Sequence, residues 1–172
     1  KFTDKLGKKF PYWARLLLTF LLTGVVALFP VVRHAAGGGT VLIKDIYATA
    51  DFVWYVLLGI LILKLVLILL AYNSGATGGL FVPMLALGAV IGALMGKLFI
   101  KLGMSPNYYP LMVCVGMTTF FGASVRTPLT ATVLIVEITG YSTDFLPAVI
   151  AIFSAYIVAE LLGNKPVYDS ML

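Results

Sequence analysis

Two apolar runs of membrane length meet at a glycine-rich break, and that junction restricts the fold more than any other feature of the chain. The run from Phe52 to Tyr72, FVWYVLLGILILKLVLILLAY, holds 21 residues. As a helix it reaches about 31 Å, enough to cross the hydrocarbon core of a bilayer. A second apolar stretch starts at about Leu80. Between them, Asn73-Ser-Gly-Ala-Thr-Gly-Gly79 carries three glycines, two hydroxyl side chains and no charge. Unpaired backbone is not tolerated against lipid, so such a break has to be shielded by protein or line a cavity. In membrane transporters a break of this kind sets a helix N-terminus at a binding site. The unpaired N–H groups there carry partial positive charge and suit an anion.

Composition fixes the class. Hydrophobic residues make up 61% of the 172-residue chain and charged ones only 11%, with a mean hydropathy of +1.05. A soluble domain carries roughly a quarter charged residues, so this is an integral, multi-pass membrane protein. The net charge of +5 does not signal nucleic-acid binding, because the few charges sit mostly at segment ends. Lys1, Lys5, Lys8, Lys9 and Arg15 stand against Asp4 before the first apolar run. By the positive-inside rule the N-terminus is expected on the cytoplasmic side. The start without Met is read as that of a piece of a longer protein.

The remaining segments are uneven. Tyr12 to Val32 is the first apolar run, Thr40 to Ala50 is too short to cross, and Gly79 to Ile100 is rich in small residues. Gly88, Gly92 and Gly96 form two overlapping GxxxG pairs, a signal for close helix packing in membranes. Asn107-Tyr-Tyr-Pro110 reads as a turn, and Leu111 to Phe121 as a short run ended by Gly122-Ala-Ser124. Pro128, suited to a first helical turn, opens a run to Thr139, and Phe145 to Leu162 is the last long one. Runs this short predict an all-α fold of tilted and partly crossing helices rather than a simple serpentine.

Three stretches, in order, carry a resemblance. Ser74-Gly-Ala-Thr-Gly-Gly-Leu-Phe-Val-Pro-Met84 resembles the GxFxP segment of the CLC family of chloride channels and chloride/proton antiporters. Ser124-Val-Arg-Thr-Pro-Leu-Thr130 with Val136-Glu-Ile-Thr139 resembles a later S-x-R-x-P-L-T…E-x-T stretch. Gly163-Asn-Lys-Pro-Val-Tyr168 resembles the G-x-K-P-x-Y element near the end of that family's membrane domain. The Gly37–Gly39 cluster falls in the matching place. The resemblance runs over essentially all of residues 1–172, as the C-terminal half of a CLC-type transmembrane domain. The family's two halves are inverted repeats, and the loops that mark the N-terminal half are absent here.

The resemblance implies an anion, chloride or a similar one, held by the backbone N–H groups of Leu80 and Phe81, with Val82 nearer an external site. The hydroxyl of Tyr168 would donate to the same anion. Gly78 and Gly79 would allow close approach, and Pro83 loses nothing in a first turn. No full positive charge is expected at the site, which suits reversible binding. The resemblance also implies a homodimer through helices near 128–139 and 145–162, whose faces Leu134, Ile135, Ile138, Leu146, Ile150 and Phe153 would meet a second copy or lipid. Passive conduction and exchange for protons both stay open, as do a non-transporting scaffold and a transporter of another small anion.

Other polar residues carry lesser expectations. Glu137 reads as structural near a helix end, and Glu160 as pairing with Lys165 or reaching the membrane surface. Arg126 is placed to pair with backbone carbonyls, and Lys64 to face protein or water or to snorkel. Cys114, the single cysteine, excludes an internal disulfide and reads as a buried small hydrophobe. His34 has no companion at metal-ligand spacing, and Ser124 and Ser142 have no base beside them. Neither an enzyme nor a cofactor or metal is expected.

Overall fold

In the computed structural model, which describes residues 12–28, 38–48, 52–73, 79, 81–139, 145–163 and 166–167, each apolar run is a helix. The order is α1 (Tyr12–Leu28), α2 (Thr40–Ala48), α3 (Trp54–Asn73), α4 (Phe81–Lys101), α5 (Tyr109–Val125), α6 (Pro128–Thr139) and α7 (Phe145–Leu161). Among the described residues, Trp54–Ala71, Phe81–Lys101 and Pro106–Val125 are long and apolar enough to cross a membrane. At 9 residues α2 is too short to do so, as is α6 at 12, in line with the expectation of partly crossing helices.

Both boundaries of α5 differ from the sequence reading. Pro106–Tyr108 is a 3-10 turn that runs straight into α5, with Pro110 in the first helical turn. The missing proline N–H costs nothing there, because first-turn N–H groups have no partner in the helix. The helix also passes through Gly122-Ala-Ser124 and stops at Arg126, which adopts the left-handed conformation at φ 63°. Inside it, Thr118 and Thr119 turn their hydroxyls back onto the carbonyls of Cys114 and Val115, so neither presents an unpaired group to lipid.

The α4–α5 pair forms the centre, with α3 and α2 packed on α4 and with α6 and α7 packed on α5. Burial differs accordingly: ten of the 21 residues of α4 are buried inside the chain, against 22% of Trp54–Ala71. Gly88, Gly92 and Gly96 all face α5, where Gly116, Met112 and Tyr109 lie. A Cβ at Gly88 would stand 2.6 Å from the Gly116 carbonyl oxygen, so the two backbones touch with no side chain between them. The GxxxG signal is thus met by a glycine on the opposite helix. Around this seam the core gathers Leu42 and Ile46 of α2, Leu57 and Ile60 of α3, and Phe121 and Cys114 of α5.

Local caps explain where the elements stop. Gly103, at φ 109°, closes α4: its N–H reaches the Ile100 carbonyl and that of Met104 the Phe99 carbonyl, the paired bonds of a glycine C-cap. Gly39, at φ 102°, precedes α2 and its carbonyl accepts from the Ile43 N–H at 2.9 Å. Its backbone is wedged between Ala86 of α4 and Lys64 of α3.

Candidate anion site

The first turn of α4 defines the site. With α4 starting at Phe81, the N–H groups of Phe81 and Val82 have no partner within the helix, and Pro83 has none to offer. The Phe81 ring meets that of Phe121 edge to face, 4.9 Å apart at 84°, a preferred aromatic geometry. This contact fixes the start of α4 against the end of α5. Gly79 has no protein atom within 4 Å of where a side chain would begin. Packing within this chain therefore does not demand a glycine there. Gly78, Leu80 and Tyr168 lie outside the described residues.

The residue before Tyr168 is placed. The Val167 N–H donates to the Ser124 carbonyl at 3.0 Å. That carbonyl is free to accept because α5 ends at Val125, so no helical N–H follows to claim it. Val167 is in this way tied one helical turn from Phe121, and hence from Phe81. The structure brings two of the three resembling stretches to the end of α5.

The third does its work at the same corner. Arg126 sends its guanidinium to the Ala159 carbonyl at 2.9 Å and pairs with Glu160, with the Tyr156 ring 5.6 Å away. The expected carbonyl partner is met. The Glu160 carboxylate pairs with Arg126, because α7 packs back along α5 and α6 and brings its end to the α5–α6 corner. Lys165 lies outside the described residues. Glu137 is exposed on α6. The exposed side chains of Leu146, Ile150 and Phe153 on α7 leave an apolar face uncovered in the single chain, while those of Leu134, Ile135 and Ile138 lie outside the described residues.

Beside the first turn of α4 is a cavity of about 240 Å³ lined by Thr40, Lys44 and Tyr47 of α2, by Phe81 and Val82, and by Met117 among others. The start of α2 lies next to that of α4, since Gly38 approaches Val82 and Gly39 approaches Ala86. Two helix N-termini thus converge there. Lys44 is in the cavity wall, and Lys64, only 1% exposed, lies by Gly39, where an added methyl would come 3.0 Å from its Nζ. Sequence reasoning did not connect Lys44 to this cavity, because α2 folds across α4 only through the turn at Gly38–Gly39. Among the described residues no group of three or more His, Cys, Asp or Glu could hold a metal.

Comparison with known proteins gives one consistent answer. The sequence profile of the family described as voltage gated chloride channel matches residues 1–160. The H(+)/Cl(-) exchange transporter ClcA of Salmonella paratyphi A is 38% identical over 152 residues, 87% of this chain and 32% of that protein. The protein of the same name from Yersinia pestis is 37% identical over 166 residues, 93% of this chain and 34% of that one. The chain therefore spans about a third of the length of these curated relatives. The X-ray crystal structure of a slow cyanobacterial Cl-/H+ antiporter superposes with a TM-score of 0.77 at 29% identity, over 98% of this chain and 40% of that one. A match over nearly the whole chain, in sequence and in helix arrangement alike, places this protein in the voltage-gated chloride channel family.

Proposed function

We propose that this chain forms one half of a membrane pathway that exchanges chloride for protons, with the chloride held by backbone N–H groups of Leu80 and Phe81 and by the Tyr168 hydroxyl. The observation that carries the reading is the start of α4 at Phe81, pinned against Phe121 one turn from the anchor of Val167. A helix N-terminus supplies unpaired N–H donors and partial positive charge. A hydroxyl adds one further donor. Neither carries a full charge, so an anion so held binds without being trapped. The names of the relatives, H(+)/Cl(-) exchange transporters, support exchange over passive conduction.

In this reading an N-terminal half outside residues 1–172 supplies the rest of the cradle, and the N-terminus of the present chain is cytoplasmic. Two copies pair through the apolar face of α6 and α7, to which the exposed Leu146, Ile150 and Phe153 belong. The test is flux from liposomes carrying the full-length protein. Chloride efflux faster than from empty liposomes, with coupled proton uptake, is expected. Efflux at the empty-liposome rate sinks the transport reading. Tyr168→Phe and Tyr168→Ala are expected to weaken chloride binding by about tenfold each, the worth of one hydrogen bond to a charged group. Unchanged calorimetric affinity in both removes Tyr168 from the site.

A further inference from the structure

Lys64 sits near the middle of the 20-residue α3, which carries no other charge. An ammonium at that depth is costly, and such groups occur where the protein has a use for them. Ten residues separate it from the helix start at Trp54, about 15 Å at 1.5 Å per residue. A four-carbon stem does not span that distance, so Lys64 does not snorkel to the membrane surface. It turns inward and is buried. Packing alone does not ask for an ammonium there, since an apolar side chain of similar volume fills such a place at least as well. What the ammonium meets is a bend, not a helix. Gly38 and Gly39 form that bend ahead of α2, and a Cβ at Gly39 would stand 3.0 Å from the Lys64 Nζ and 3.4 Å from its Cε. Backbone outside a helix is tolerated at membrane depth only where protein covers it, and an ammonium brings three donors to such a place.

The same bend lies along the start of α4. The Cβ that Gly39 lacks would stand 2.5 Å from the Ala86 Cβ, so Lys64 and Ala86 close on one point of the bend. Gly38 approaches Val82, in the first turn of α4, at 3.9 Å. Thr40, the first residue of α2, shares with Phe81 and Val82 the cavity beside that turn. We propose that Lys64 is a positioning residue for the chloride site: its ammonium pins the Gly38–Gly39 bend, and the bend sets how closely the start of α2 approaches the first turn of α4. The proposal rests on the reading of that turn as an anion site. Without the ammonium the bend drifts, and the wall that Thr40 contributes moves relative to Phe81.

Lys64→Met in the full-length protein keeps an unbranched stem and removes the donors. Two measurements made well below the melting temperature separate positioning from stability. Hydrogen exchange at the Ile43 N–H, which donates to the Gly39 carbonyl at 2.9 Å, should quicken, because a loosened bend opens more often. Chloride affinity by calorimetry should fall about fivefold or more, the lower end of coupling between separate parts of one protein. Lys64→Arg keeps charge and donors and should hold most of the affinity. Ile60→Val is the control: Ile60 is buried one turn earlier on the same face of α3, and this variant should melt earlier yet leave both readouts unchanged. Unchanged chloride affinity in Lys64→Met overturns the proposal, as does unchanged exchange at Ile43. A loss in Lys64→Arg as large as in Lys64→Met does the same. Absence of chloride binding by the unmodified protein is a separate failure, which overturns the anion reading and this proposal with it.

Discussion

Replacing Gly88 by alanine puts the central seam to the test. The added Cβ would stand 2.6 Å from the Gly116 carbonyl oxygen and 2.7 Å from the Met117 Cα. Ordinary contact begins at 3.4 Å, so α4 and α5 would have to part by the difference of 3.4 and 2.6, about 0.8 Å, a gap that forfeits a quarter to a half of the dispersion across the surfaces they share. Both neighbours are backbone atoms and neither can rotate aside. The cost is therefore expected at the top of the usual range for overpacking, about 3 kcal/mol. Gly59→Ala is the control: Gly59 is an exposed glycine within α3 with nothing within 4 Å of its missing side chain. Alanine there should stabilise by up to about 1 kcal/mol through helix propensity alone. Equilibrium unfolding of the full-length protein in mixed detergent micelles, followed by tryptophan fluorescence, compares the two. A second readout follows from the site: Phe81 rides on α4, so chloride affinity should fall in Gly88→Ala and hold in Gly59→Ala. If the two variants unfold within about 0.5 kcal/mol of each other, the ordinary scatter of an exposed substitution, the backbone contact does not hold these helices together and the reasoning is refuted.

Arg126→Ala should cost about 2 kcal/mol, since it strips a charged donor from the Ala159 carbonyl, whereas Glu160→Gln should cost under about 1 kcal/mol, because its carboxylate is largely exposed; the same unfolding assay ranks them, and an equal cost would contradict the assignment. Arg126→Gly should be the milder of the two truncations by about 1 kcal/mol, because glycine relieves the left-handed backbone. Gly39→Ala should destabilise by more than about 2 kcal/mol, combining positive φ with a collision against Ala86. Gly38→Ala, whose new Cβ would meet Val82 at 3.9 Å, should be nearly neutral. Matching melting curves for those two would show that the α2 turn is not wedged between α3 and α4.

What the sequence made legible was whatever repeats along one helix or sits within one turn. The apolar runs, the glycine spacing from Gly88 to Gly96 and the proline at 128 are of that kind, and each appears where expected. Tyr109-Pro110 was ambiguous because proline serves a turn and a first helical turn equally well. The contacts that assemble the site were not legible, because they join residues distant along the chain. Gly116 carries no periodic signal of its own, yet it receives both Gly88 and Gly92. The Arg126–Glu160 pair spans two helices. Lys64 interrupts an apolar run, and the Gly39 backbone beside it comes from a helix turn 25 residues earlier in the chain.

The last turn of α5 acts as a common datum for two segments that the chain itself places far apart. Measured along the backbone, small errors in Phe81 relative to Val167 would accumulate through every helix between them. Measured across the ring contact at Phe121 and the hydrogen bond at Ser124, the path is one helical turn. Arg126 holds the end of α7 at that same corner through Ala159 and Glu160, so one short stretch of α5 sets the position of both segments and of the helix that leads to the second.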